Sequence, residues 1–117
     1  MDPVAITIGV GWIAVGLLTI GLAIPLLQGK VGPNALYGVR FRQSFQSEEA
    51  WFAINRYGAK RMIIWALPMT AIGIVTIAFP LQRHPLLAWL FGFAPLAFIL
   101  IPVIDTWYYA RRYTVTR

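Results

Sequence analysis

Four acids, one histidine and no cysteine are all that this sequence offers for acid–base, nucleophilic or metal chemistry. Without cysteine, disulfide frameworks, thiolate metal sites and cysteine nucleophiles are excluded. His84 alone is too few for a histidine metal cluster. Glu48 and Glu49 are adjacent. On a helix they point to different faces, so they do not make a general acid/base pair. Ser44 and Ser47 have no neighbouring histidine or lysine that would mark a nucleophile. No phosphate-cradling or dinucleotide-binding glycine pattern is present. The expectation is therefore a protein that is not an enzyme, with no metal and no cofactor.

Asp105 is the exception among the acids, because it stands inside an otherwise apolar run. An ionisable residue at membrane depth is costly and is a functional candidate by default. Two readings stand. It forms a salt bridge to Arg111, Arg112 or a loop arginine, or it serves a proton-coupled or substrate-binding role. Arg40 and Arg42 are two apart, so an extended chain points them the same way. Arginine holds phosphate bidentately, which makes anionic lipid headgroups one partner; topology charge alone explains the pair equally well.

The elements that must carry these residues follow from composition. The chain has 117 residues, 59% hydrophobic and 12% charged, against roughly 25% charged in an average soluble domain. One domain of this length cannot bury so much apolar surface in a single core. The fold class expected is an all-α membrane protein, one domain over 1–117, with spans at about 4–27, 63–81 and 86–109. The first run is too long, and has too little positive charge before it, for a cleaved signal peptide, and reads as a retained span. At about 1.5 Å per residue the spans measure roughly 36, 28 and 36 Å. Pro68, Pro95 and Pro102 fall inside spans, where each favours a kink. That is packing irregularity or an openable cavity. Ala5 and Gly9, and Ala66, Thr70 and Gly73, form small faces that let helices approach closely in lipid.

Three spans put the 28–62 loop and the C-terminal tail on one side. Lys30, Arg40, Arg42, Arg56, Lys60, Arg61, Arg111, Arg112 and Arg117 lie there, and only Arg83 lies opposite. The positive-inside rule makes that side cytoplasmic, with the N-terminus outside, in a multi-pass membrane protein. The net charge of +6 sits beside the spans and points to anionic lipid headgroups, with no direct nucleic-acid partner expected. The aromatic run Trp107, Tyr108 and Tyr109 fits an interfacial belt, as does Trp89 on the other side.

The loop is too long to be a mere connector. Pro33-Asn34 marks a turn and Gly38 permits unusual backbone angles. Ser47 is a candidate N-cap, with Glu48 and Glu49 suited to a first helical turn. A helix over 47–62 gathers Trp51, Ile54, Gly58 and Met62 on one face and Glu49, Arg56 and Lys60 on the other. The expectation is a cytoplasmic amphipathic helix, on the membrane surface or on the bundle. Asn55 falls on the apolar face, where an amide needs a partner: the loop backbone, or a ligand.

The loop residues also carry a resemblance. The run Lys30-Val31-Gly32-Pro33-Asn34-Ala35-Leu36-Tyr37-Gly38-Val39-Arg40, followed by Ser44, Trp51 and Asn55, resembles the signature of the SdpI immunity-protein family. Ser44 stands where many members have threonine, and both supply a hydroxyl. The three-span arrangement matches as well. The resemblance implies a membrane protein that confers or senses resistance to a secreted toxic peptide, with the peptide or a cytoplasmic regulator as partner. It singles out Lys30, Pro33, Asn34, Tyr37, Gly38, Arg40, Ser44, Trp51 and Asn55 as ligand or structural positions, and Glu49, outside that pattern, is a further candidate. A second reading is a lipid-headgroup-binding protein or membrane enzyme using Asn34, Tyr37, Arg40, Glu49 and Asn55. A third is a small exporter, although such proteins typically carry a buried glutamate in the first span, which is uncharged here. A homo-oligomer is a further candidate assembly.

Overall fold

The computed structural model describes residues 2–115, with side chains through Tyr113. The helices are α1 (Pro3–Leu27), α2 (Glu48–Thr76), α3 (Pro85–Phe93) and α4 (Ala97–Val115). Short 3₁₀ turns lie at Arg42–Phe45, Leu81–Arg83 and Ala94–Leu96. Three helical segments are long and apolar enough to cross a membrane: Pro3–Leu27, Glu48–Thr76 and Pro85–Tyr113. The protein is an all-helical membrane protein.

α1 starts where the Asp2 carboxylate accepts the Ala5 N–H at 2.9 Å, with Pro3 at the first helical position. It ends in a Schellman motif. The Gly29 N–H donates to the Leu26 carbonyl and the Lys30 N–H to the Pro25 carbonyl. Gly29 turns the chain at φ +72°, which glycine adopts without a Cβ clash.

The seam between α1 and α2 is built from small residues. Gly9, Gly16 and Ala23 recur at seven-residue spacing on α1, and Ala59, Ala66 and Gly73 answer them on α2. A Cβ on Gly73 would stand 2.8 Å from the Gly9 carbonyl oxygen, and one on Gly16 would stand 3.3 Å from that of Ala66. Ala23 and Ala59 close the same seam near the loop. Lipid is as apolar as leucine, so close backbone approach and dispersion hold such helices together. α4 packs on the other flank of α2, where Gly58 lets Thr106 approach.

Two expectations are corrected. There is no separate amphipathic helix among the described residues, because 48–62 is the first half of α2. No proline or turn signal interrupts Lys60-Arg61-Met62, so the helix runs on into the span. Its two faces are as expected, but Trp51, Ile54 and Gly58 are buried against protein. The expected 63–81 span also ends early, at Thr76. Pro80 disfavours helix in the residue before it, and the chain closes with tighter bonds from Ala78 to Val75 and from Phe79 to Thr76.

Pro68, Pro95 and Pro102 differ in effect. Pro68 and Pro102 sit within continuous helices, whereas Pro95 lies in the 3₁₀ turn that divides α3 from α4. α2, at 29 residues, is about 43 Å long, against a hydrocarbon core of about 30 Å. Its charged first turns therefore stand outside the hydrocarbon layer, and the signature loop packs between them and the end of α1.

Candidate functional site

Residues 30–46 contain no regular helix beyond one short turn, so their backbone polar groups need side-chain partners. Asn34 supplies four. Its Oδ1 accepts the N–H groups of Leu36 (2.9 Å) and Tyr37 (2.7 Å), and its Nδ2 donates to the carbonyls of Gly32 and Tyr37, both at 2.9 Å. Pro33 precedes it, exposed, and Lys30 is the exposed residue that completes the α1 cap. Arg40, also exposed, donates through Nη1 to the Ala35 carbonyl at 2.6 Å.

Asn55 is 1% exposed. Its Oδ1 accepts the Val39 N–H at 2.6 Å, while Nδ2 donates to the carbonyls of Val39 (3.2 Å) and Trp51 (3.0 Å). One amide thus pairs both main-chain groups of Val39, as a neighbouring strand would. Gly38 is the residue that brings the loop this close. Its φ is +118°, and a Cβ there would lie 2.7 Å from Asn55 Oδ1 and 3.1 Å from the Trp51 ring. Trp51 is fully buried and donates its indole N–H to the Val31 carbonyl at 2.8 Å. The Tyr37 hydroxyl donates to the Leu22 carbonyl on α1. Ser44 is buried with its hydroxyl unpartnered, and its N–H closes the 3₁₀ turn onto Phe41. Glu49, exposed, accepts from the Tyr113 hydroxyl at 3.0 Å.

The loop is thereby stitched to α1 by Tyr37, to α2 by Trp51 and Asn55, and to α4 through packing. Val39, Ala50, Ile54 and Ala110 form one apolar cluster, with Phe41, Met62, Tyr109 and Tyr113 around it. Of the two readings of Asn55, the geometry matches the loop-backbone partner. The five residues expected to form a headgroup site are each engaged with other parts of the protein: Asn34, Arg40 and Asn55 with loop main chain, Tyr37 with α1, and Glu49 with Tyr113.

Asp105 is held between α4 and α2. Its Oδ2 pairs with the Arg61 guanidinium, and its Oδ1 accepts the Tyr57 hydroxyl at 2.9 Å. The partner is thus a loop-side arginine rather than Arg111 or Arg112. Tyr57 also stacks on Tyr109 with ring centres 4.1 Å apart and planes 4° from parallel. Sequence reasoning allowed a loop arginine without singling out Arg61, and did not name Tyr57. The signal was available, since the two are four apart and share one helix face. Arg111 lies over the Trp107 ring at 4.7 Å. Among the described residues no group of histidine and acid side chains could hold a metal ion.

A cleft separates α1 from α4 above the floor that α2 provides. A cavity of about 140 Å³ within it is lined by Thr19, Met62, Ala66, Met69, Phe98 and Pro102 among others. A second cavity of about 220 Å³ lies beneath Tyr37, Gly38 and Val39. Thr19 and Met62 line both.

These features define a class: a small helical membrane protein with three spans and a loop cap fastened to each of them. The model of the SdpI/YfhL protein family matches residues 30–104, about two-thirds of the chain, and the protein belongs to that family. No curated protein and no solved structure matches the chain.

Proposed function

We propose that this protein is an SdpI-type membrane protein that confers or senses resistance to a secreted toxic peptide. The observation that carries the reading is the family match across the signature loop, the second span and most of the third. It acts by binding and relay rather than by catalysis, in a bacterial inner membrane, with the loop in the cytoplasm and the N-terminus outside. The distribution of Lys and Arg supports that orientation: of ten such residues, only Arg83 lies on the hairpin side. A cysteine at Gln82 is then labelled from outside intact cells, and one at Gln46 is spared.

The route for a signal is continuous. The cleft in the membrane shares Thr19 and Met62 with the cavity under the loop. A toxic peptide that alters the packing of α1 and α4 around the cleft changes what supports Tyr37–Val39, and a cytoplasmic regulator reads the altered cap.

The test is survival of a toxin-sensitive bacterium expressing the protein. Trp51→Phe keeps the buried ring but loses the bond to Val31, and Arg40→Gln loses the clamp on Ala35. Both should lower protection at equal membrane abundance, while Arg83→Gln should not. Full protection by both loop variants would separate the motif from immunity and sink this reading.

A further inference from the structure

We propose that the turn around Leu36 is a membrane anchor that seats in the headgroup–acyl boundary of an anionic bilayer. Leu36 is 90% exposed. A leucine at the tip of a loop, in contact with almost nothing, has no packing role within the protein.

Its depth explains it. The neighbouring Tyr37 reaches the Leu22 carbonyl of α1. Tyr37, Gly38 and Val39 close a cavity against Leu22, Ala23 and Leu26. The turn therefore lies beside the last two turns of α1, whose apolar run ends at Leu27. At that level water gives way to acyl chain. Burying one leucine side chain there is favourable by the same area-proportional effect that buries it in a core.

A non-helical backbone close to the hydrocarbon is favoured when its polar groups are met within the protein. Four groups of this turn are met in that way. The N–H groups of Leu36 and Tyr37 and the carbonyl of Tyr37 are bonded by Asn34, and the carbonyl of Ala35 by Arg40. In water such internal satisfaction is optional for an exposed turn. Close to lipid it removes part of the desolvation cost.

The charge around the tip selects the surface. Arg40 is clamped beside Ala35 by one of its five N–H donors, and its exposed guanidinium keeps donors for a phosphate. Lys30 and Arg42 are exposed on the same loop, and residues 28–47 contain no acid. An apolar finger with a cationic collar matches an anionic lipid surface. The inference goes beyond the toxin reading and holds whichever side of the membrane the loop faces.

The chain has no cysteine, so Leu36→Cys can carry an environment-sensitive fluorophore, with Gln46→Cys, also exposed, as reference. Both full-length proteins are placed in nanodiscs, with and without phosphatidylglycerol in phosphatidylcholine. With phosphatidylglycerol present, the label at 36 should be quenched several-fold more by a nitroxide near the headgroup end of the acyl chain than by aqueous iodide. At 46 the order should reverse. Adding Arg40→Gln should raise iodide access at 36 in the anionic discs. Iodide access at 36 equal to that at 46 would place the tip in water and overturn the proposal. Equal shielding with and without phosphatidylglycerol would overturn it too, by removing the role of anionic lipid. A label shielded from both quenchers would mean that a second protein copy covers Leu36, and the lipid anchor would be wrong.

Discussion

At the loop end of the bundle, Asn34, Tyr37, Trp51 and Asn55 each bond to main chain, some of it 20 residues away in sequence. At the hairpin end one carboxylate, Asp2, joins the start of α1 to the Gln82 N–H at 2.8 Å, and Phe79 meets Phe91 with ring centres 5.1 Å apart. The difference follows from what each end is made of. Helices satisfy their own backbone, so a hairpin between two helices needs few particular residues. An irregular loop leaves donors and acceptors that only certain side chains can meet. Loops usually tolerate change better than the elements they join. Here the relation is inverted, and the recognisable signature lies in the loop because its backbone has no other partners.

The comparison breaks first at Asn55. Asn55→Ala leaves both the N–H and the carbonyl of Val39 buried without a partner, at a cost of about 1–3 kcal/mol for each group. Thermal unfolding in detergent should show the largest loss of stability of any variant considered, and Gln82→Ala, which retains the N–H that Asp2 accepts, should be close to wild type. A mild Asn55→Ala variant would mean that the two ends are held alike.

Gly38→Ala tests the same region by geometry alone, with every hydrogen-bonding side chain kept. A φ of +118° is unfavourable for alanine, and the new methyl meets Asn55 and Trp51. Strain of this kind costs of order 1–3 kcal/mol. The same substitution at Gly32, where a Cβ meets nothing within 4 Å, should be nearly neutral. The contrast between two glycines of one loop, read as a difference in melting temperature, locates the tight approach.

Asp105→Asn should cost less. Tyr57 can still donate to the amide oxygen, while Arg61 loses its counter-charge. Their side chains are 34% and 27% exposed for Arg61 and Asp105 respectively, so the loss should lie near the upper end of an exposed pair, about 1 kcal/mol. A double-mutant cycle with Arg61→Gln should recover most of the loss as coupling. Additive effects would mean that the two residues act separately.

Much of the fold could be read from the residues, for reasons that separate the two kinds of region. Long apolar runs announce spans, and Ser47 followed by Glu48-Glu49 announced the start of α2, where Ser47 accepts the Ala50 N–H at 2.9 Å. Asn55 was legible as a buried amide needing a partner because helical spacing placed it on the Trp51 face. The loop backbone was one of its two readings, but Val39 in particular was not legible, since it reaches Asn55 only through the unusual backbone at Gly38. The small seam was half legible. Ala5, Gly9, Ala66, Thr70 and Gly73 were picked out at three- and four-residue spacing, while the seven-residue repeat of Gly9, Gly16 and Ala23 against Ala59, Ala66 and Gly73 went unread. Proline type alone could not distinguish Pro95, which divides a helix, from Pro68 and Pro102, which do not. That outcome depends on packing around each site.

The smallest expected effect belongs to the hairpin end and depends on pH. Asp2 accepts the Ala5 N–H, which holds its carboxyl below the ordinary value of 3.8, and the Gln82 N–H acts in the same direction. A carboxylate with a depressed folded-state pKa contributes stability that is present above its unfolded value and is lost as pH falls through the folded one. Asp2→Asn keeps one side-chain oxygen, for the Ala5 N–H, and turns an NH2 toward the Gln82 N–H, so it removes the charge and one of the two acceptors. At neutral pH the wild type should therefore melt slightly higher than Asp2→Asn, and the gap should narrow as the pH drops through the depressed value. The loop end provides the control, because Asn34 and Asn55 carry no charge. The stability lost in Asn55→Ala should persist across the same pH range. A gap between wild type and Asp2→Asn that stays constant down to acid pH would mean that the carboxylate acts at this end as a neutral hydrogen-bond acceptor, as the loop amides do.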